Sequence, residues 1–210
     1  MVFRNRREAG QLLAEKLKEY AGKNALVFGL PRGGVVVGAE IAQQLNLPLE
    51  VIISRKIGHP WQPEFAVAAI TENGQLIENK EILATLDPEW FKEAAKKEQE
   101  EAKRRRERYL AGREPISTKA KTAILVDDGI ATGLTVQAAI KDLQQRQPAA
   151  IVLAVPVIPP DTAERLAKEV NAVVALEIPQ EFAGAVGAYY QSFPQVSDEE
   201  VINLLKDINK

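Results

Sequence analysis

Apolar positions fall into short runs separated by amphipathic stretches. Between residues 5 and 20, Ala9, Leu12, Leu13 and Leu17 recur at helical spacing while Glu8, Glu15, Lys16 and Lys18 lie elsewhere. That pattern predicts a surface helix with one apolar face. Ala25-Leu26-Val27-Phe28 predicts a buried strand and leads through Gly29-Leu30-Pro31-Arg32-Gly33-Gly34 into an apolar helix over 35–45. Further buried strands are expected over 49–53, 123–126, 150–157 and 172–176, with helices starting near Val136 and after Pro159-Pro160-Asp161. Strands alternating with helices predict an α/β fold with a mainly parallel sheet covered on both faces. Ligands of such sheets sit at the carboxyl ends of the strands.

The rhythm changes over roughly 56–115. Phe65-Ala66-Val67-Ala68-Ala69-Ile70 and Leu76-Ile77 flank Asn73-Gly74 and read as a hairpin. The only histidine, His59, precedes Pro60 in an expected loop. From Asp87, a suitable N-cap, with Pro88 at the first position, a long charged helix is expected to reach Tyr109. Glu93 and Lys97, Glu100 and Arg104, and Glu101 and Arg105 have favourable four-residue spacing on it. The tail over 177–196 is irregular and aromatic, and Ser197 caps a last helix opened by Asp198, Glu199 and Glu200.

Composition narrows the chemistry. The 210 residues, 46% hydrophobic, suit one domain. A formal charge of −2 argues against a polyanion-binding surface, so any phosphate recognition must be local. Without cysteine there is no disulfide, thiolate zinc site or cysteine nucleophile, which is consistent with the cytoplasm. The first residues have charges but no apolar core, so no secretory signal is expected.

Two loops carry the candidate chemistry. In residues 123–135, the run Ala123-Ile124-Leu125-Val126 delivers Asp127 and Asp128 to a strand end, followed by a loop with Ala131, Thr132, Gly133, Leu134 and Thr135 and then a helix. Amides converging at a helix N-terminus suit an anion, and adjacent carboxylates suit hydroxyl groups or a metal. The plain alternative is an ordinary turn with a solvated acidic pair. Residues 29–34 form a second such loop, without the glycine, Lys and Ser/Thr order of a nucleoside triphosphatase. There Arg32 offers a forked donor for phosphate, or simply faces solvent.

The 123–135 segment resembles the signature of the type I phosphoribosyltransferases, and the 29–34 loop resembles their pyrophosphate loop. The resemblance implies a parallel-sheet fold with a flexible hairpin (about 56–115, with the charged helix inserted) and a small hood (about 177–196). It implies that Asp127 and Asp128 hold the ribose hydroxyls of phosphoribosyl pyrophosphate and, indirectly, Mg2+. Ala131, Thr132, Gly133, Leu134 and Thr135 would wrap the 5′-phosphate. Arg32, with Pro31 and Gly33, would face pyrophosphate, joined by Arg55 and Lys56, which otherwise read as surface charges. Phe182 or Tyr190 of the hood would stack on the acceptor, or else seal a lid or a homodimer surface. The implied reaction transfers phosphoribosyl to a nitrogen acceptor, such as a nucleobase, with Mg2+ neutralising pyrophosphate. Ala131 stands where relatives acting on 6-oxopurines carry an Asp, Val155-Pro156-Val157 lacks their Lys, and Leu134 replaces a small residue. Any general base must then come from elsewhere, with Glu64 and His59 as candidates. The alternative is a non-catalytic sensor of phosphoribosyl pyrophosphate or a nucleotide.

Overall fold

The computed structural model describes all 210 residues. In chain order the elements are α1 (Arg6–Lys16), β1 (Ala25–Gly29), α2 (Gly33–Leu45), β2 (Leu49–Val51), β3 (Ser54–His59), β4 (Gln62–Thr71) and β5 (Leu76–Glu78). They continue as α3 (Lys80–Leu83), α4 (Pro88–Leu110), β6 (Thr122–Val126), α5 (Leu134–Gln145), β7 (Ala150–Val157), α6 (Pro160–Ala167), β8 (Ala172–Glu177) and α7 (Asp198–Ile208).

Five strands form one parallel sheet in the order β2-β1-β6-β7-β8. Its two faces follow from strand alternation. Ile124 and Val126 of β6 point into a core built with α1, α2 and α7, whereas Ala123 and Leu125 point into a second core built with α5 and α6. The chain leaves β1 toward β2 on one side and returns as β6 on the other, so the topological switch point lies between β1 and β6. Both candidate loops start there.

β3, β4 and β5 make a separate antiparallel sheet that packs on α5 and α4. His59, expected in a loop, therefore ends a strand that begins at Ser54. Ile57 is buried with Val67, Ala68 and Ile70 in the small core beneath this sheet, which favours pairing over a free loop. The long helix is less solvated than its charge implies, because Trp90, Phe91, Ala94 and Ala95 pack on that core and Ala102, Tyr109 and Leu110 reach the main one. Arg104 and Arg105 share Glu101 at 2.7 and 2.8 Å, rather than Arg104 pairing with Glu100. Leu12, expected on the apolar face of α1, is exposed.

A buried ionic cluster fastens this layer to the main sheet. Glu72, just after β4, accepts from Ile53 N at 2.9 Å, from Arg106 of α4 at 3.0 Å and from Arg146 at 3.2 Å. Arg146 also donates to Asp142 of α5 at 2.6 Å, and Asn73 donates to Asp142 at 2.9 Å. Burial pushes the Glu72 carboxyl up, against the pull of Arg106. No helix is long and apolar enough to cross a membrane.

Candidate functional site

Gly29 ends β1 in register with Val126, which ends β6, so the two loops leave the sheet side by side. Leu30 N donates to Val126 O at 2.9 Å, which turns the first loop across the end of β6. A Cβ on Gly34 would lie 2.7 Å from Val126 O and 2.9 Å from Asp127 Cα, so only glycine lets the backbones come this close. The Pro31–Arg32 peptide is cis. Asp127 and Asp128 emerge beneath this loop, and Asp128 N donates to Asp127 Oδ1 at 2.9 Å.

The two carboxylates have different surroundings. Asp127 lines the cavity beside the second loop. Asp128 is turned toward the first loop and α1, where Arg6 Nε donates to its Oδ2 at 2.7 Å. Burial, followed by the neighbouring Asp128 charge, pushes the Asp127 carboxyl well above the ordinary range. Burial also raises Asp128, but Arg6 pulls it back. Tyr190 donates its hydroxyl to Asp128 O at 2.6 Å, and burial beside these acids raises that phenol.

The cavity holds about 360 Å³. One wall is the 131–135 loop, which runs into the N-terminus of α5. Gly133 takes φ 78°, a left-handed value natural to glycine, and α6 props the loop from outside. Thr162 Oγ1 donates to Ala131 O at 3.2 Å, and Arg165 Nη2 donates to Thr132 O at 2.6 Å. Phe65, Ala66, Ile130 and Val186 give the cavity an apolar wall. Lys56 and Glu64, paired at 2.8 Å, close one side. Lys56 holds the exposed Glu64 carboxyl below its usual range, which weakens it as a base.

Of the residues singled out in the sequence, Asp127, Ala131, Thr132, Gly133, Leu134, Thr135, Lys56 and Glu64 line this cavity. The rest do not. Arg32 points to Asp198 at the start of α7, 3.7 Å away, and Gly33 packs on the Asp128 carboxylate. Pro31 sits in the same turn. Arg55 is held by Glu98 of α4 and, with His59, lines the neighbouring groove between the hairpin and that helix. Phe182 stacks on Tyr189 with ring centroids 5.5 Å apart, and Tyr190 is buried between Phe3 and Phe193. Tyr190 therefore has aromatic partners on two sides, whereas Phe182 is half-buried with one stacked partner.

The acidic pair offers two adjacent carboxylates, one of them held by Arg6. No group of three or more His, Cys, Asp or Glu side chains could hold a metal alone. Two hard oxygen donors at a strand end suit Mg2+ that takes its other ligands from substrate and water, the usual way Mg2+ is bound with phosphates.

A family model described as "Phosphoribosyl transferase domain" matches residues 3–191. The chain belongs to this family. It is 41% identical over 206 residues to proteins of two Mycobacterium tuberculosis strains provisionally named phosphoribosyl transferases. That match covers 97% of this chain and 46% of theirs, so the chain spans about half the length of these curated relatives. The crystal structure of TT1426 from Thermus thermophilus is 43% identical, with TM-score 0.82 and 99% of each chain covered. The parallel sheet flanked by helices described above is therefore shared with an experimentally determined structure.

Three residues of this phosphoribosyl transferase domain escaped the sequence reading: Arg6, Thr162 and Arg165. Each reaches its loop or acid from another element, 122, 31 and 33 positions away in the chain. Helical patterning gives no sign of such contacts. The one available signal was that Arg6 lies on the same face as Ala9 and Leu13, on the buried side of α1.

Proposed function

We propose that this chain binds phosphoribosyl pyrophosphate across the β1–β6 switch point and transfers its phosphoribosyl group to a nitrogen acceptor, releasing pyrophosphate. The observation that carries the reading is the convergence of two amide-rich loops on Asp127 and Asp128 at neighbouring strand ends. A ligand with an anion at each end and hydroxyls between them matches that arrangement.

In this reading the 131–135 loop and the N-terminus of α5 bind the 5′-phosphate. Asp127 accepts hydrogen bonds from the ribose hydroxyls, assisted by Asp128. Pyrophosphate lies against the 30–34 loop, and Arg32 turns from Asp198 toward it. That turn breaks only a loose, half-exposed contact, so it costs little. Lys56 is the nearest side-chain cation to the cavity, since Arg55 is occupied by Glu98. Bound Mg2+ would supply charge neutralisation of the departing pyrophosphate.

The C1–O bond to pyrophosphate breaks with its electron pair leaving on oxygen, and the acceptor nitrogen forms the new bond to C1. Positive charge at C1 in the transition state resembles that of glycoside chemistry. The acceptor's proton passes to a base. Glu64 is the side-chain candidate that lines the cavity, whereas His59 faces the groove outside it. The apolar wall of Phe65, Ile130 and Val186 favours a flat heterocycle over a charged acceptor.

The test is pyrophosphate release from phosphoribosyl pyrophosphate with Mg2+ across a panel of nitrogen heterocycles. Release with at least one acceptor is expected. Tight donor binding without release on any acceptor supports the sensor reading instead, which the scarcity of polar side chains on the apolar wall favours.

A further inference from the structure

Three arginines lie near the start of α1, and only one turns inward. Arg4 pairs with Glu8 at the surface and Arg7 with Glu40 of α2, whereas Arg6 is 8% exposed. Its guanidinium is engaged on three sides. Nε donates to Asp128 Oδ2 at 2.7 Å, Nη1 donates to Pro194 O at 2.7 Å, and Cζ lies 3.7 Å from the centroid of the Phe193 ring. Taking an arginine out of water is costly, and these three partners offset that cost only while all remain in place.

Two of the three partners, Phe193 and Pro194, belong to one segment. Phe193 packs on Tyr190, with centroids 4.8 Å apart, and Tyr190 donates to the carbonyl of Asp128. Residues 190–194 therefore hold Asp128 at both ends, the backbone directly and the carboxylate through Arg6. The pair also underlies the first loop. A Cβ on Gly33 would lie 1.8 Å from Asp128 Oδ2 and 2.8 Å from Arg6 Nε.

We infer that Arg6 is a positioning residue for phosphoribosyl transfer, fixing the Asp128 carboxylate between the two loops and tying its placement to the docking of residues 190–194. The inference rests on the donor-binding reading above. The amino-terminal arm and the segment before α7 thus become part of the ribose site without touching the ligand.

Arg6→Lys separates this role from simple charge balance. Lysine keeps the charge and the aliphatic stem but is a compact donor without the planar fork that spans Asp128 and Pro194. Calorimetric titrations with Mg2+ and phosphoribosyl pyrophosphate, ribose 5-phosphate or inorganic pyrophosphate test the role. The variant is expected to bind both ribosyl ligands about tenfold more weakly than wild type and to lose much less affinity for pyrophosphate. Phe193→Leu removes the ring under the guanidinium without touching either acid, and should weaken the ribosyl ligands in the same direction but by less.

Unchanged affinity for all three ligands in a folded Arg6→Lys protein overturns the inference. A parallel loss that includes pyrophosphate also overturns it, since that indicates general loosening. Should Arg6→Lys fail to fold, Phe193→Leu decides: full ribosyl affinity there removes the proposed coupling. If wild type itself binds neither ribosyl ligand, the donor reading has failed, which is distinct from failure of the Arg6 role.

Discussion

At the scale of single residues, the acidic pair combines identical chemistry with unlike environments. Asp127 is buried beside another acid with no cation of its own, while Asp128 is held by Arg6. This has a consequence for stability. The native Asp127 carboxyl binds its proton more tightly than the unfolded chain does. Its contribution is therefore fully present at low pH and is lost as pH rises through the raised native value. Asp127→Asn removes that loss, so in magnesium-free buffer its melting temperature relative to wild type should climb as pH rises above the ordinary carboxylate range. A difference independent of pH would show that the carboxyl is not strained by burial. Gly33→Ala should be harmful for a different reason, because its Cβ would overlap the Asp128 carboxylate. Unfolding by denaturant should show a loss of about 1–3 kcal/mol, accompanied by weaker donor binding. The acidic pair and the loop glycines were legible in the sequence because strand, turn and helix signals are local. The partners that make the two acids differ were not, since Arg6 and Tyr190 come from opposite ends of the chain.

Among the elements, the hairpin and the long helix depart furthest from what patterning suggested. Alternating charge made α4 read as solvated, and its pairs at four-residue spacing accounted for only part of the charge. Glu98 instead reaches Arg55 on β3, and Arg106 reaches Glu72 beyond β4. Its cationic end meets α7, where Arg108 and Tyr109 both contact Asp198 at 2.7 Å. Burial and that bond push the Tyr109 phenol up to about 12. Because Arg32 also leans on Asp198, α4 spans from the hairpin to the first loop. The Ser54 and Thr71 end of the β3–β4 pair is pinned by the neighbouring Glu72 cluster, while its turn presents an exposed Trp61. Motion over the cavity is thus expected of residues 59–65 rather than of the whole layer. Glu72→Ala leaves Arg106 and Arg146 buried without their shared acceptor, and should cost about 3 kcal/mol. For a chain of this size that corresponds to a fall of roughly 6–12 °C in melting temperature. A change under about 1 °C would mean that water already satisfies the cluster.

For the molecule as a whole, strand–helix alternation was enough to anticipate the parallel sheet with helices on both faces. Register and switch point were not visible in the pattern, since nothing local tells β1 to lie between β2 and β6. Those long-range pairings bring residues 29–34 and 123–135 side by side at neighbouring strand ends. The central claim concerns the donor. Its most direct test is calorimetric titration of phosphoribosyl pyrophosphate with Mg2+ into wild type and into the Asp127→Asn, Asp128→Asn double variant. Wild type is expected to show saturable one-site binding, and the folded variant at least about tenfold weaker binding. Equal affinity of the two proteins, or no binding by folded wild type, would contradict the donor assignment.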